Sequence, residues 1–85
     1  MRVALTENVM SYLNENAESA GVAAPQFKDD LFKLGVLDSF TLVDFVSILE
    51  DQYSIAISDS DVNPENFRSI EVIEQYVNSR RGQAR

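Results

Sequence analysis

Apolar residues recur at helical spacing in three stretches of this chain. Leu5, Val9, Leu13 and Ala17 follow one another at i, i+4, with Met10 and Tyr12 beside them, and predict a first helix from about Val3 to Ala17. Its other face carries Glu7, Asn8, Ser11, Asn14, Glu15 and Glu18. Leu42, Phe45, Val46, Leu49 and Tyr53 form a second stripe, on a helix that starts at Asp38 or Ser39, both good N-cap types, and runs to about Tyr53. Ile70, Ile73 and Val77 are the buried stripe of a last helix that starts at Ser69. Glu71 and Glu74 near its positive end, and Arg80 and Arg81 near its negative end, complement the macrodipole.

The segments between these helices are less regular. Gly21 and Pro25 end the first helix and open a long connection to Asp38. Phe27, Leu31, Phe32, Leu34, Val36 and Leu37 give it more apolar surface than a solvated loop needs, so it is expected to pack on the bundle, with a turn of helix near Asp29 to Lys33. Asn63, Pro64 and Glu65 are a compact start signal for a short third helix before Phe67. Residues 53–58 alternate apolar and small side chains, but one strand has nothing to pair with, so the segment reads as a packed loop. The expectation is an all-α four-helix bundle, a single domain over residues 1–85, with a long first loop and a short third helix. Its core is drawn from Leu5, Val9, Leu13, Leu42, Val46, Leu49, Ile70, Ile73 and Val77.

Composition narrows the chemistry. The 85 residues hold 14 Asp and Glu against 7 Lys and Arg, a formal charge of −7. That balance argues against nucleic acid and anionic membranes as partners, since both reward positive surface, and favours basic protein partners. With no cysteine and no histidine there is no disulfide framework, no thiol nucleophile and no imidazole base or metal ligand. The N-terminus lacks the apolar run of a signal peptide and no segment is long enough for a membrane span, so a soluble cytoplasmic protein is expected; it is also expected to be a monomer.

Paired carboxylates such as Asp29-Asp30 stand without a supporting base or phosphate loop, which sets an enzyme aside. Asp59, Asp61 and Asn63 match the first three alternate ligands of a calcium loop. Pro64 falls where its glycine belongs and Ile70 where its bidentate glutamate belongs, so these residues read as caps and no metal site is expected.

The face of the second helix opposite its apolar stripe collects Phe40, Val43, Asp44, Ser47, Glu50 and Asp51. Two apolar side chains among carboxylates suit a docking surface, where acidic groups steer a basic partner and apolar groups add contact energy. At the head of this face stands Asp38-Ser39-Phe40. From the dipeptide alone Ser39 is a helix cap; a serine exposed after a loop, on a small acidic helical chain, admits a second role as an attachment point.

The stretch from Leu34 to Phe40, followed by Leu42-Val43-Asp44-Phe45-Val46 and Leu49-Glu50-Asp51-Gln52-Tyr53, resembles the acyl carrier protein family around its phosphopantetheine attachment serine. The likeness extends through Ile55 and Ile57 to Asn63-Pro64-Glu65-Asn66-Phe67-Arg68-Ser69-Ile70. It implies that Ser39, next to Asp38, takes 4′-phosphopantetheine from coenzyme A through a separate phosphopantetheinyl transferase. The arm then holds an acyl or aminoacyl thioester for downstream acyl-transferring enzymes. The phosphodiester would lie by the helix N-terminus, where free N–H groups favour an anion. The chain departs from the commoner pattern at Phe40, where leucine or methionine is usual, and at Thr41 and Gln52, where many fatty-acid carriers are acidic. The spacing before Ser39 looks more like freestanding carriers such as the D-alanyl carrier protein, loaded by an adenylating ligase. The alternative is a non-acylated acidic helical module that docks a basic partner through Phe40, Val43 and Asp44. A carrier needs the Ser39 hydroxyl and such a module does not.

Overall fold

The computed structural model describes residues 5–83. Three long helices dominate it: α1 (Glu7–Ala20), α3 (Ser39–Tyr53) and α4 (Ile70–Gln83), with a single-turn helix α2 (Leu31–Leu34) in the long first connection. Two 3₁₀ turns, Asp59–Asp61 and Pro64–Asn66, lie between α3 and α4. The second of these is the short third helix that Asn63-Pro64-Glu65 foretells; Asn63 caps it by accepting the Asn66 N–H. No described residue is in a strand.

α1 starts later and ends later than the apolar spacing suggests. Val3 lies outside the described residues, and Thr6 caps the helix by accepting the Val9 N–H. The helix runs to Ala20, where Gly21, at φ 76°, closes it in the left-handed conformation that glycine adopts without strain. Leu5, expected in the core, precedes the helix and is only half-buried against it.

α1 and α3 run antiparallel. Thr6, at the start of α1, donates its N–H to the Tyr53 hydroxyl (2.9 Å) and its own hydroxyl to Gln52 (3.1 Å), both at the end of α3. Tyr12 donates its hydroxyl to the Thr41 carbonyl in the first turn of α3 (3.2 Å). Gln52, which thins the acidic face, is therefore a tie between helices.

The long connection is packed, as its apolar content requires. Leu31, Val36 and Leu37 are fully buried, and Asp30 caps α2 by accepting the N–H groups of Phe32 and Lys33. Leu31 donates its N–H to the Arg68 carbonyl (2.7 Å) and Glu71 donates to that of Phe27 (3.0 Å), so the loop is stitched to the start of α4.

The core joins these to Val9, Leu13, Ala17, Leu42, Phe45, Val46, Leu49, Phe67, Ile70, Ile73 and Val77. A line of aromatic rings crosses it. Tyr12 stacks on Phe45, Phe45 meets Phe67 edge-on, and Phe67 tilts against Tyr76 at 5.4 Å.

Ile55 and Ile57 are buried in a strandless segment, as a packed loop requires. Two side chains supply backbone partners that a sheet would otherwise give. Glu50 accepts the Ile57 N–H (2.8 Å) and Arg80 donates to the Ala56 carbonyl (2.9 Å). Arg80, near the end of α4, thus also reaches across to this loop; the Arg81 side chain lies outside the described residues.

Candidate functional site

Asp38 and Ser39 are both able to cap a helix, and the structure chooses Asp38. Its carboxylate accepts the N–H groups of Phe40 and Thr41, each at 2.9 Å, while the Thr41 hydroxyl accepts the Asp38 N–H at 2.8 Å. This is a capping box, with threonine in the place that glutamate often takes. Gly35, at φ 82°, ends α2 and turns the chain toward this box.

Ser39 is consequently the first residue of α3 and not its cap. It is exposed, and no described residue hydrogen-bonds its hydroxyl. Thr41, one of the departures in the sequence, is what completes the cap and leaves that hydroxyl idle.

The hydrogen bonds from Thr41 first, and then from Phe40, hold the Asp38 carboxyl below its ordinary value of 3.8. Asp38 therefore remains an anion across the physiological range and is a poor proton acceptor. The same bonds narrow one expectation. Of the N–H groups at this terminus, those of Phe40 and Thr41 are held by the Asp38 carboxylate and that of Leu42 goes to the Asp38 carbonyl, which leaves the N–H of Ser39 itself.

Beyond Ser39 the predicted face is present. Phe40 is 84% exposed and Val43 58%, and among the described residues they are the large apolar side chains left uncovered. Asp44, Ser47 and Asp51 are exposed along the same helix. Glu50 differs, being half-buried with its carboxylate committed to Ile57, so it belongs as much to the loop as to the face. Val43, Val46 and Ser47 form one wall of an open groove of about 440 Å³ whose other wall is Ile57, Asp59 and Val62.

Asp59, Asp61 and Asn63 do not gather as a metal site. Asp61 accepts the Tyr76 hydroxyl (2.8 Å) and Asn63 caps the turn that follows, and no group of three metal-ligating side chains occurs among the described residues. Burial first, and then this bond to Asp61, push the Tyr76 hydroxyl up to about 12.

A family model described as a phosphopantetheine attachment site matches residues 13–77, most of the chain. The chain belongs to this family of phosphopantetheine carriers. Searches of curated proteins and of solved structures return no significant match. Members of the family carry 4′-phosphopantetheine covalently and serve transferases and other enzymes as carriers, without catalysing the chemistry themselves. The four-helix, all-α architecture agrees with that membership. No helix among the described residues is long and apolar enough to cross a membrane.

Proposed function

We propose that Ser39 is the attachment residue and that the carrier holds an acyl or aminoacyl cargo for delivery to partner enzymes. The idle, exposed hydroxyl at the start of a rigid 15-residue helix carries this reading. Other serines within the matched region have environments that suit the role less well. Ser69 is buried and accepts the Val72 N–H, Ser58 and Ser60 are bonded to each other, and Ser54 closes α3 in a left-handed turn. Ser19 and Ser47 lie within helices rather than at a helix start.

The start of α3 fits the group chemically, since the acceptor oxygen is uncovered and the backbone that holds it is braced by the capping box and by Tyr12. When bound, the group supplies a terminal thiol that takes cargo as a thioester. In the transfer, the Ser39 oxygen forms the new bond to the phosphorus of coenzyme A that leads to the pantetheine, the pyrophosphate bond breaks, and the nucleotide portion leaves. The serine proton must go to a base, and this chain offers none: it has no histidine, and the Asp38 carboxylate is engaged and held below its usual range. The transferase supplies that base.

Because Asp38 has already taken the N–H groups of Phe40 and Thr41, an arm on Ser39 is held by few donors at the helix terminus and is free to move between the carrier and its partners. Val43 stands one helical turn beyond Ser39, at the wall of the 440 Å³ groove, which offers apolar cover to a short cargo. Phe40, Val43, Asp44, Ser47, Glu50 and Asp51 are the surface on which the transferase, an adenylating ligase and downstream enzymes dock.

Fragment mass spectrometry after incubation with coenzyme A and a phosphopantetheinyl transferase tests the assignment. The added mass is expected on Ser39 within the peptide that follows Lys33; the same mass on Ser47, Ser54, Ser58 or Ser60 would overturn it.

A further inference from the structure

The carboxylates of this chain divide by what they do. Those of Asp29, Asp30, Asp38, Glu50 and Asp61 accept hydrogen bonds within the fold. Glu15 on α1 and Asp51 on α3 have no partner among the described residues, and both line one groove of about 430 Å³ between the two helices.

Asn8, Ser11 and Ile48 line it as well, and no lysine or arginine among the described residues does. The side chains of Asn8 and Ser11 also have no partner among the described residues, while Ile48, half-buried, gives the groove an apolar floor. This groove lies on the other flank of α3 from the one that Val43 and Ile57 wall, with Ser47 on the ridge between them.

We propose that the α1–α3 groove is a second docking surface, seating a basic helical segment of a partner protein with Arg or Lys over Glu15 and Asp51 and an apolar side chain over Ile48. The proposal rests on the carrier reading only in needing partner proteins; Ser39 takes no part in it.

Three features select that occupant. The groove is negative at two points with no lysine or arginine among its described lining residues, in a chain of net charge −7, which favours a cationic ligand. It lies between two antiparallel helices, and from Asn8 to Glu15 it spans about 10 Å along α1, two turns, the geometry in which a third helix packs along a pair. Its floor is apolar while its rim is polar, the arrangement by which a small contact gains both affinity and register. A partner that used both flanks would grip α3 from two sides and so fix the rotation of the carrier about the attachment helix.

Nitrogen-15 NMR titration tests this, using the full chain and Ser39→Ala in parallel. The probe is a synthetic 14-residue amphipathic helical peptide with Arg at i and i+7 and Leu between, against a control with Glu in place of Arg. The expected result is shift changes centred on Asn8, Ser11, Glu15, Ile48 and Asp51 with the Arg peptide alone, equal in wild type and Ser39→Ala. Glu15→Lys, at an exposed position, should weaken binding about tenfold while leaving the circular dichroism spectrum unchanged. Shifts centred on Phe40 and Val43, no shifts at millimolar peptide, or an affinity unmoved by Glu15→Lys would each overturn the proposal. None of these outcomes bears on whether Ser39 is modified, which the mass measurement reads separately.

Discussion

Ser39 and Ser69 each stand at the start of a long helix after a loop, and the fold puts them to opposite uses. Ser69 is buried and its hydroxyl accepts the Val72 N–H, so its oxygen is consumed in holding α4. Ser39 is exposed with an idle hydroxyl, because the residue before it is an aspartate that has already taken the cap. Chemistry at a helix start thus depends on the neighbour: a serine is available to a partner enzyme only where something else satisfies the helix. The surroundings follow the same division. Around Ser69 the chain is knitted together by Leu31 to Arg68, Glu71 to Phe27, Tyr76 to Asp61 and Arg80 to Ala56, whereas around Ser39 the side chains of Phe40 and Val43 are left in water.

Substituting the two serines separates the roles most sharply. Ser69→Ala is expected to lower stability by about 1–2 kcal/mol in urea denaturation, since it removes a buried cap, while leaving modification of Ser39 unaffected below the melting transition. Ser39→Ala should change stability by no more than about 0.5 kcal/mol. A larger loss for Ser39→Ala than for Ser69→Ala would break the comparison.

Asp38 is the hinge of the contrast. Asp38→Ala should destabilise the chain more than Ser39→Ala and slow modification, because the Ser39 hydroxyl is then drawn into capping α3; Asp38→Asn should keep most of the cap. Its pH dependence has a definite sign. The folded state holds the carboxyl below 3.8, so the contribution is full above that value and is lost as pH falls through the lower folded value. Acid denaturation of Asp38→Asn should lack this component.

Asp44→Lys should slow modification by the transferase at low salt, with the difference shrinking as ionic strength rises, and without loss of fold. Asp44 is the cleaner probe than Glu50, whose substitution also releases Ile57. Rates equal to wild type at low salt would move recognition off this face.

On the knitted side the effect is smaller and falls at high pH. One tyrosine transition near pH 12 should disappear in Tyr76→Phe and move down in Asp61→Asn, read by ultraviolet absorbance. The Tyr76 bond contributes fully below the ordinary tyrosine value of about 10 and is lost as pH rises toward 12.

The long helices were legible because their apolar stripes are nearly all buried; Val9, Leu13, Leu42, Val46, Leu49, Ile70, Ile73 and Val77 fall where the spacing puts them. Periodicity is blind to backbone partners, which is why the Glu50 bond to Ile57 and the Arg80 bond to Ala56 were not foreseen. In the first connection apolar content did what periodicity could not: Leu31, Val36 and Leu37, expected to pack without a helical period, are fully buried. At the site, the face of α3 was readable, but the choice between Asp38 and Ser39 as cap was not, since both residue types suit it. The signal was Thr41, three residues after Asp38, in the register of a capping box. The α1 side of the groove went unseen because Asn8, Ser11 and Glu15 look like an ordinary solvated face until α3 is laid beside them.

The most direct test of the central claim is the intact mass of wild type, Ser39→Ala and Ser69→Ala after incubation with coenzyme A and a broad-specificity phosphopantetheinyl transferase. The account predicts a gain of one phosphopantetheine in wild type and in folded Ser69→Ala, and none in Ser39→Ala. A gain that survives Ser39→Ala would contradict it.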